Sequence, residues 1–243
     1  MFSFFSKKKQ NEQDFYFPIT TDIHSHILPG IDDGSPDVAT SLELIKGLMA
    51  LGVKKSVATP HIISDLYRNT PETISAALQQ LQQALQQAHI DYEVTAAAEY
   101  MLDEGFLSLL NAATPLLCIK EKIILTEFSY SIIPENPKEI SFKILTNGYT
   151  PILAHPERYA YFHSNYKSYH LIQDLGFLLQ VNLLSLTGYY GPAVTKAARY
   201  IIRNRLATFT ATDLHHHNHL AALHDAASKG VFKELAEFIP ANA

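Results

Sequence analysis

Six short apolar runs in this chain each end on side chains able to hold a metal ion. ITTDIHSH carries His24 and His26, SVATPH ends on His61, VTAAAEY reaches Glu99, IILTEF reaches Glu127, PILAHPER reaches His155, and ATFTATDLH closes on Asp213 and His215. This mixture of imidazole and carboxylate suits manganese, iron or zinc better than calcium or magnesium. Parallel α/β barrels gather their chemistry at the C-terminal ends of strands. The ordered set therefore predicts a multinuclear metal site.

Strand side chains alternate in direction, so Asp22, His24 and His26 are expected on one face, with Asp22 orienting an imidazole as an outer carboxylate. Asp213 and His215 repeat the spacing near the end of the chain. In a closed barrel the first and last strands are neighbours, which would bring the two pairs together. The loop ILPGIDDGS holds Asp32 and Asp33 between Gly30 and Gly34; it reads equally as a solvated turn or as a turn presenting Asp33 to a metal. Glu99 and Glu127 follow buried runs, and a carboxylate is rarely buried unpaired. No Lys or Arg stands at those strand ends, so shared cations are the simplest partners. Arg158, three residues after His155, is either a bidentate phosphate ligand or a surface arginine at a helix start.

These side chains need a scaffold of alternating strands and helices, which indicates a parallel sheet. Strands are expected near 19–25, 53–60, 92–99, 121–127, 151–155, 177–183 and 206–213. The first helix is expected to be capped by Ser35 with Pro36 in its first turn, ending near Gly52. Thr70 and Pro71 open the next, where Ile74, Leu78, Leu81 and Leu85 recur at helical spacing. Further helices are expected at about 103–112, 136–148, 165–176, 191–204 and 217–238, the last broken near Gly230.

The chain has 243 residues, 47% of them hydrophobic, and a net charge of −5. That length suits one domain burying roughly three quarters of its unfolded surface. The acidic balance argues against a nucleic-acid partner. The single cysteine, Cys118, excludes an intrachain disulfide and fits a reducing cytoplasm. No run is long enough to span a membrane. Residues 1–17 read as a flexible tail in which Phe2, Phe4, Phe5 and Lys7 to Lys9 could touch a membrane surface.

Taken together, DIHSHILPGIDDGS, ATPH, AAEYMLDE, ILTEFSY, LAHPERY and TDLHH resemble the PHP (polymerase and histidinol phosphatase) family. More narrowly, they resemble the bacterial metal-dependent protein-tyrosine phosphatases of capsule and exopolysaccharide synthesis. The resemblance implies a distorted seven-stranded (β/α)7 TIM-like barrel over residues 18–243. It implies three divalent cations, manganese first, with iron, zinc or magnesium as alternatives. His24, His26, Glu99 and Asp213 would hold one; Glu99 would bridge to a second held by Glu127 and His155; Asp33, His61 and His215 would hold the third. Arg158 would contact the substrate phosphate while a hydroxide bridging the metals attacks phosphorus. The implied partner is a phosphotyrosine protein, a membrane-anchored bacterial tyrosine kinase. Histidinol phosphate or another small phosphoester is the alternative substrate, and a non-catalytic kinase-binding barrel the alternative role. Related phosphatases often carry an arginine soon after the Asp-x-His motif. Here that stretch is HHHNHLAALHD, which leaves Arg68, Arg199 or His219 as possible substitutes.

Overall fold

A computed structural model describes residues 15–242 apart from Ala113 and Ile239. The predicted tail lies for residues 1–14, including the expected Phe and Lys membrane contacts, outside the described residues. Tyr16 donates its backbone N–H to Ala227 O, and the Phe17 ring meets Phe232 edge-on at 5.6 Å.

Each predicted strand segment contains strand. β1 (Thr21–Asp22), β2 (Lys55–Ala58) and β4 (Glu93–Ala96) form one parallel sheet in the order β1-β2-β4. β3 (His61–Ile62), β5 (Glu99–Met101), β6 (Ile123–Glu127), β7 (Thr150–Ala154), β8 (Leu178–Asn182) and β9 (Ala207–Ala211) form a second, in that order. Two predicted strands are each broken in two. Pro60, which has no N–H to give a ladder, separates β2 from β3, and Ala97 and Ala98 separate β4 from β5. Two bonds cross the breaks, Ala97 N–H to Ala58 O and Glu99 N–H to Pro60 O. At the other edge Ser25 and Leu214 form a parallel bridge, and Asp213 N–H donates to His24 O at 2.8 Å. The first and last strand segments are therefore neighbours.

Seven α-helices are described: α1 (Val38–Ala50), α2 (Pro71–Gln87), α3 (Glu104–Asn111), α4 (Pro137–Thr146), α5 (Lys167–Asp174), α6 (Pro192–Arg203) and α7 (His217–Ser228). α2 starts as expected. Thr70 and Thr73 exchange side-chain bonds with each other's backbone in a capping box, and Pro71 fills the first turn. Ile74, Ala77, Leu81 and Leu85 turn inward; burying each large aliphatic is worth about 1.5–3 kcal/mol. α1 corrects the expected cap. Asp37, not Ser35, accepts from Thr40 N at 2.8 Å, while Ser35 Oγ donates to Asp37 O. Aspartate two residues later simply reaches the first-turn amides better. The expected break near Gly230 is present: α7 ends at Ser228 and a 3-10 turn, Val231–Leu235, follows Gly230 at φ 68°. Among the described residues no helix is long and apolar enough to cross a membrane.

One apolar cluster lies between the sheets and the helices. A smaller one, Ile23, Leu125, Ile152, Ala154 and Ala211, lies on the inner faces of the strands. Directly downstream of that inner layer the side chains become polar.

Candidate metal centre

Register delivers the first contacts. His61 pairs with Glu99 between β3 and β5, and Met101 with Glu127 between β5 and β6. His61 Nδ1 consequently lies 3.2 Å from Glu99 Oε2 and 3.0 Å from Glu127 Oε1. Across the first-to-last bridge, His24 Nε2 is 3.2 Å from His26 Nε2, Glu99 Oε2 and Asp213 Oδ1 alike. His155 Nε2 is 3.2 Å from Glu99 Oε1. Asp33 Oδ1 faces His61 Nε2 at 3.5 Å and His215 Nε2 at 3.6 Å.

All nine residues expected to hold metal thus converge at one end of the sheets. Their donor atoms fall into overlapping sets: His26, Asp33, His61 and His215; His24, His26 and Asp213; His24, Glu99 and His155; and His61, Glu99 and Glu127. The grouping differs from the implied one: His26 also joins Asp33, His61 and His215, and Glu99 stands outside the set of His24, His26 and Asp213. His61 adjoins Glu99 and Glu127 as well as Asp33 and His215, and His155 groups with His24 and Glu99 rather than with Glu127.

The donor set fits cations. Glu99 Oε1 and Oε2, Glu127 Oε1 and His61 Nδ1 are buried without a hydrogen-bond partner among the described residues, a costly state for polar atoms. Charges of opposite sign already crowd there. Burial opposes ionisation of Glu99, but His24 and His61 hold its carboxyl well below the usual range. Burial and the neighbouring Glu99 charge push Glu127 up to about 6. Burial, aided by Arg158, lowers His155 to about 4, so its ring is neutral and offers a lone pair at ordinary pH. Backbone strain concentrates here too: His155 and Asp213 adopt the left-handed region at φ 35° and 50°, which β-carbon-bearing residues rarely enter without compensation.

The partners that aim these ligands are mostly not the expected ones. Asp22 does not touch an imidazole ring. It accepts from Thr212 Oγ1 at 2.5 Å and Thr212 N at 3.0 Å, tying β1 to the end of β9. His24 is oriented by Gln180 Oε1, 2.8 Å from its Nδ1, and His26 by Asp32 Oδ2, 2.7 Å from its Nδ1. Asp32 also accepts from the Gly34 and His61 amides. Asp213 Oδ2 accepts from Asn182 Nδ2 at 2.9 Å and from Arg158 Nη1 at 2.7 Å. Glu157, fully buried, accepts from Asn182 N and Ser185 Oγ. Gln180 and Asn182 sit on the inner face of a strand whose sequence is otherwise apolar. That polar alternation was the one available signal for them.

A cavity of about 250 Å³ opens over this centre, lined in part by Arg158, Tyr130, Tyr190, His216 and His219. The Arg158 guanidinium carbon lies 5.0 Å from the Tyr130 ring centre and 4.3 Å from that of Tyr190. Of the three substitutes weighed for a second arginine, only His219 reaches the cavity: Arg68 donates to Ser64 O and Arg199 pairs with Glu234. His216 also lines the cavity, because it caps α7 and does not continue a strand. Of the other tyrosines in the nearby strand-end loops, Tyr159 is buried and donates to Ala154 O, Tyr161 donates to Ser129 O, and Tyr189 packs edge-on to His219.

A family model described as "Capsular polysaccharide synthesis, CpsB/CapC" matches residues 20–237. Tyrosine-protein phosphatase YwqE of Bacillus subtilis (strain 168) is 32% identical over 196 residues, which are 80% of this chain and 76% of that protein. Tyrosine-protein phosphatase CpsB of Streptococcus pneumoniae is 27% identical, covering 80% and 82%. A solved structure from work on YwqE and CpsB, described as unique metal-dependent tyrosine phosphatases, superposes with a TM-score of 0.80 at 27% identity over 91% of this chain and 88% of that one. Histidinol phosphate phosphatase from Lactococcus lactis subsp. lactis Il1403, complexed with zinc, L-histidinol and phosphate, shares the fold alone, with a TM-score of 0.50 at 12% identity over 88% and 93%.

Proposed function

Because the chain belongs to the CpsB/CapC family of capsular polysaccharide synthesis, we propose that it is a metal-dependent protein-tyrosine phosphatase whose centre is the cluster around Glu99. The observation that carries this reading is the set of buried donor atoms on Glu99, Glu127 and His61, crowded at 3.0–3.2 Å without hydrogen-bond geometry between them, beneath a cavity that Arg158 lines. The scaffold is a distorted seven-stranded (β/α)7 barrel over residues 18–243, in agreement with the first-to-last bridge.

His24, His26, Glu99 and Asp213 would hold one cation, Glu99 with Glu127 and His155 a second, and Asp33, His61 and His215 a third. Manganese is the foremost metal, ahead of iron, zinc or magnesium. Bound cations supply an acidified water and positive charge at the phosphate oxygens. Arg158 has five N–H groups and gives one to Asp213, which leaves others for the phosphate. Burial opposes its charge, but the guanidinium is intrinsically a very weak acid and the Asp213 carboxylate 2.7 Å away keeps it ionised. Tyr130 and Tyr190 flank the guanidinium and form walls suited to an aryl ring. A tyrosinate leaves with a conjugate-acid pKa near 10, so it needs little protonation.

The substrate is a phosphotyrosine protein, a membrane-anchored bacterial tyrosine kinase, met in the cytoplasm. The complete donor set argues against a merely kinase-binding role. The test is turnover of a phosphotyrosine peptide beside histidinol phosphate, after chelation and readdition of Mn²⁺, with His155→Ala as control. Metal-dependent peptide hydrolysis that the variant lacks supports the reading. Preference for histidinol phosphate replaces the substrate, and hydrolysis of neither overturns the activity.

A further inference from the structure

A second cavity, about 730 Å³, runs along α6 and is lined by Lys196, Arg199 and Arg203 with Tyr166 and Tyr200. The three cations recur at helical spacing, so they share one face. The lining includes no Asp or Glu, in a chain whose net charge is −5. Arg199 turns its Nε to Glu234 at 3.1 Å. Lys196 stands 6.0 Å over the Tyr166 ring, and neither it nor Arg203 has an acidic partner among the described residues.

The groove adjoins the catalytic cavity through one short piece of chain. Thr187 and Gly188 line the groove, whereas Tyr190, two residues on, lines the catalytic cavity against Arg158. The chain around Tyr130 carries the reverse charge. Beyond Tyr130, a pocket of about 440 Å³ is lined by Ile132, Ile133, Asp65, Asp103 and Glu135, with no Lys or Arg. A polypeptide crossing the mouth therefore meets an acidic, apolar bank on the Tyr130 side and a basic, aromatic one on the Tyr190 side.

Building on the phosphatase reading, we propose that the α6 groove is an exosite for an acidic segment of the phosphoprotein, engaged while the phosphotyrosine occupies the catalytic cavity. Charge complementarity selects an acidic occupant, and the chain's own N-terminus, with Lys7 to Lys9, has the wrong sign. The concave, tyrosine-walled shape and its place beside the catalytic mouth favour a peptide over an anionic bilayer. Electrostatic contacts of this kind act on encounter and specificity more than on chemistry.

The test uses the full metal-loaded chain and the double variant Lys196→Glu with Arg203→Glu, both exposed positions. Substrates are p-nitrophenyl phosphate, a phosphotyrosine peptide with Glu-rich flanks, and the same peptide with Gln flanks. The variant should raise KM for the acidic peptide about tenfold, leave its kcat unchanged, and leave the other two substrates unaffected. Added NaCl should erase the wild-type preference for acidic flanks. An unchanged KM for the acidic peptide, or an equal loss on all three substrates, overturns the exosite. Loss of binding to phosphatidylserine–phosphatidylcholine vesicles with an unchanged acidic-peptide KM overturns it in favour of a membrane surface. Should the wild type hydrolyse no phosphotyrosine substrate, the phosphatase reading fails by itself. The groove is then judged by anisotropy of a fluorescein-labelled acidic peptide: binding lost in the double variant sustains it, and equal binding sinks it.

Discussion

Asp32 Oδ2 lies 2.7 Å from His26 Nδ1 and thereby decides that Nε2 is the nitrogen His26 turns toward Glu99 and Asp213. Outer carboxylates of this type fix the tautomer and raise the basicity of a ligand imidazole. Asp32→Asn keeps the shape and removes the charge. Metal affinity should fall about 10- to 100-fold, read as metal content after dialysis against graded chelator. Full retention of metal would show that Asp32 only shapes the turn.

His24 gives the pH dependence. Burial favours the neutral ring, but Glu99 and Asp213 outweigh it and raise the pKa from 6.5 to about 9. In the metal-free chain that proton stabilises the fold fully below pH 6.5, and its contribution is lost as pH rises through 9. Cations compete for the same lone pair, so their affinity grows over the same interval. The melting temperature of chelated protein should fall from pH 6.5 to 9 while the gap to metal-loaded protein widens. A gap that narrows contradicts the assignment of His24 as a ligand.

Arg158 donates to Asp213 and stacks between two tyrosines, a geometry that depends on its planar fork. Arg158→Lys keeps a positive charge without that plane. We expect kcat/KM on a phosphotyrosine peptide to drop about 100-fold, the scale for one lost transition-state donor, with metal content largely kept. Comparable turnover by the lysine variant would leave charge alone as the requirement.

Gly34 is tight against the ligand loop. A β-carbon there would sit 2.1 Å from His26 O and 2.4 Å from His26 Cβ, whereas one at Gly148 would meet nothing within 4 Å. Gly34→Ala must therefore displace His26 or its own loop, and both metal content and melting temperature should fall. Gly148→Ala, at φ 81°, carries only the local left-handed cost of about 1–2 kcal/mol and should keep its metal. Equal behaviour of the two variants would remove steric closeness as the reason for glycine at 34.

The ligands were legible because their types clash with their surroundings. Glu99 and Glu127 end buried runs with no cation nearby in sequence, so burial alone demands a partner. Helix α2 was legible because Thr70 and Pro71 act within a single turn. The break after β4 was not, since the run through Ala97 is as apolar as a continuous strand, whereas Pro60 carried a readable signal for the break after β2. Nor were the roles of Gln180 and Asn182: their bonds reach 156 residues to His24 and 31 residues to Asp213, and no local pattern encodes such pairings. Asp22 misled for the opposite reason. Alternation placed it correctly beside the histidines in sequence, while Thr212 offered it closer hydrogen bonds.

The bond from Asp213 N–H to His24 O joins the two ends of the chain, and that has a consequence during synthesis. Translation delivers His24, His26 and His61 first, and Asp213 and His215 last, because domains emerge from the ribosome in order. Until the end of β9 emerges, His24 lacks both Asp213 Oδ1 and the Asp213 N–H that its backbone carbonyl accepts. A message cut short before β9 yields a polypeptide with an open ligand set, inert at this centre however well its earlier strands pair.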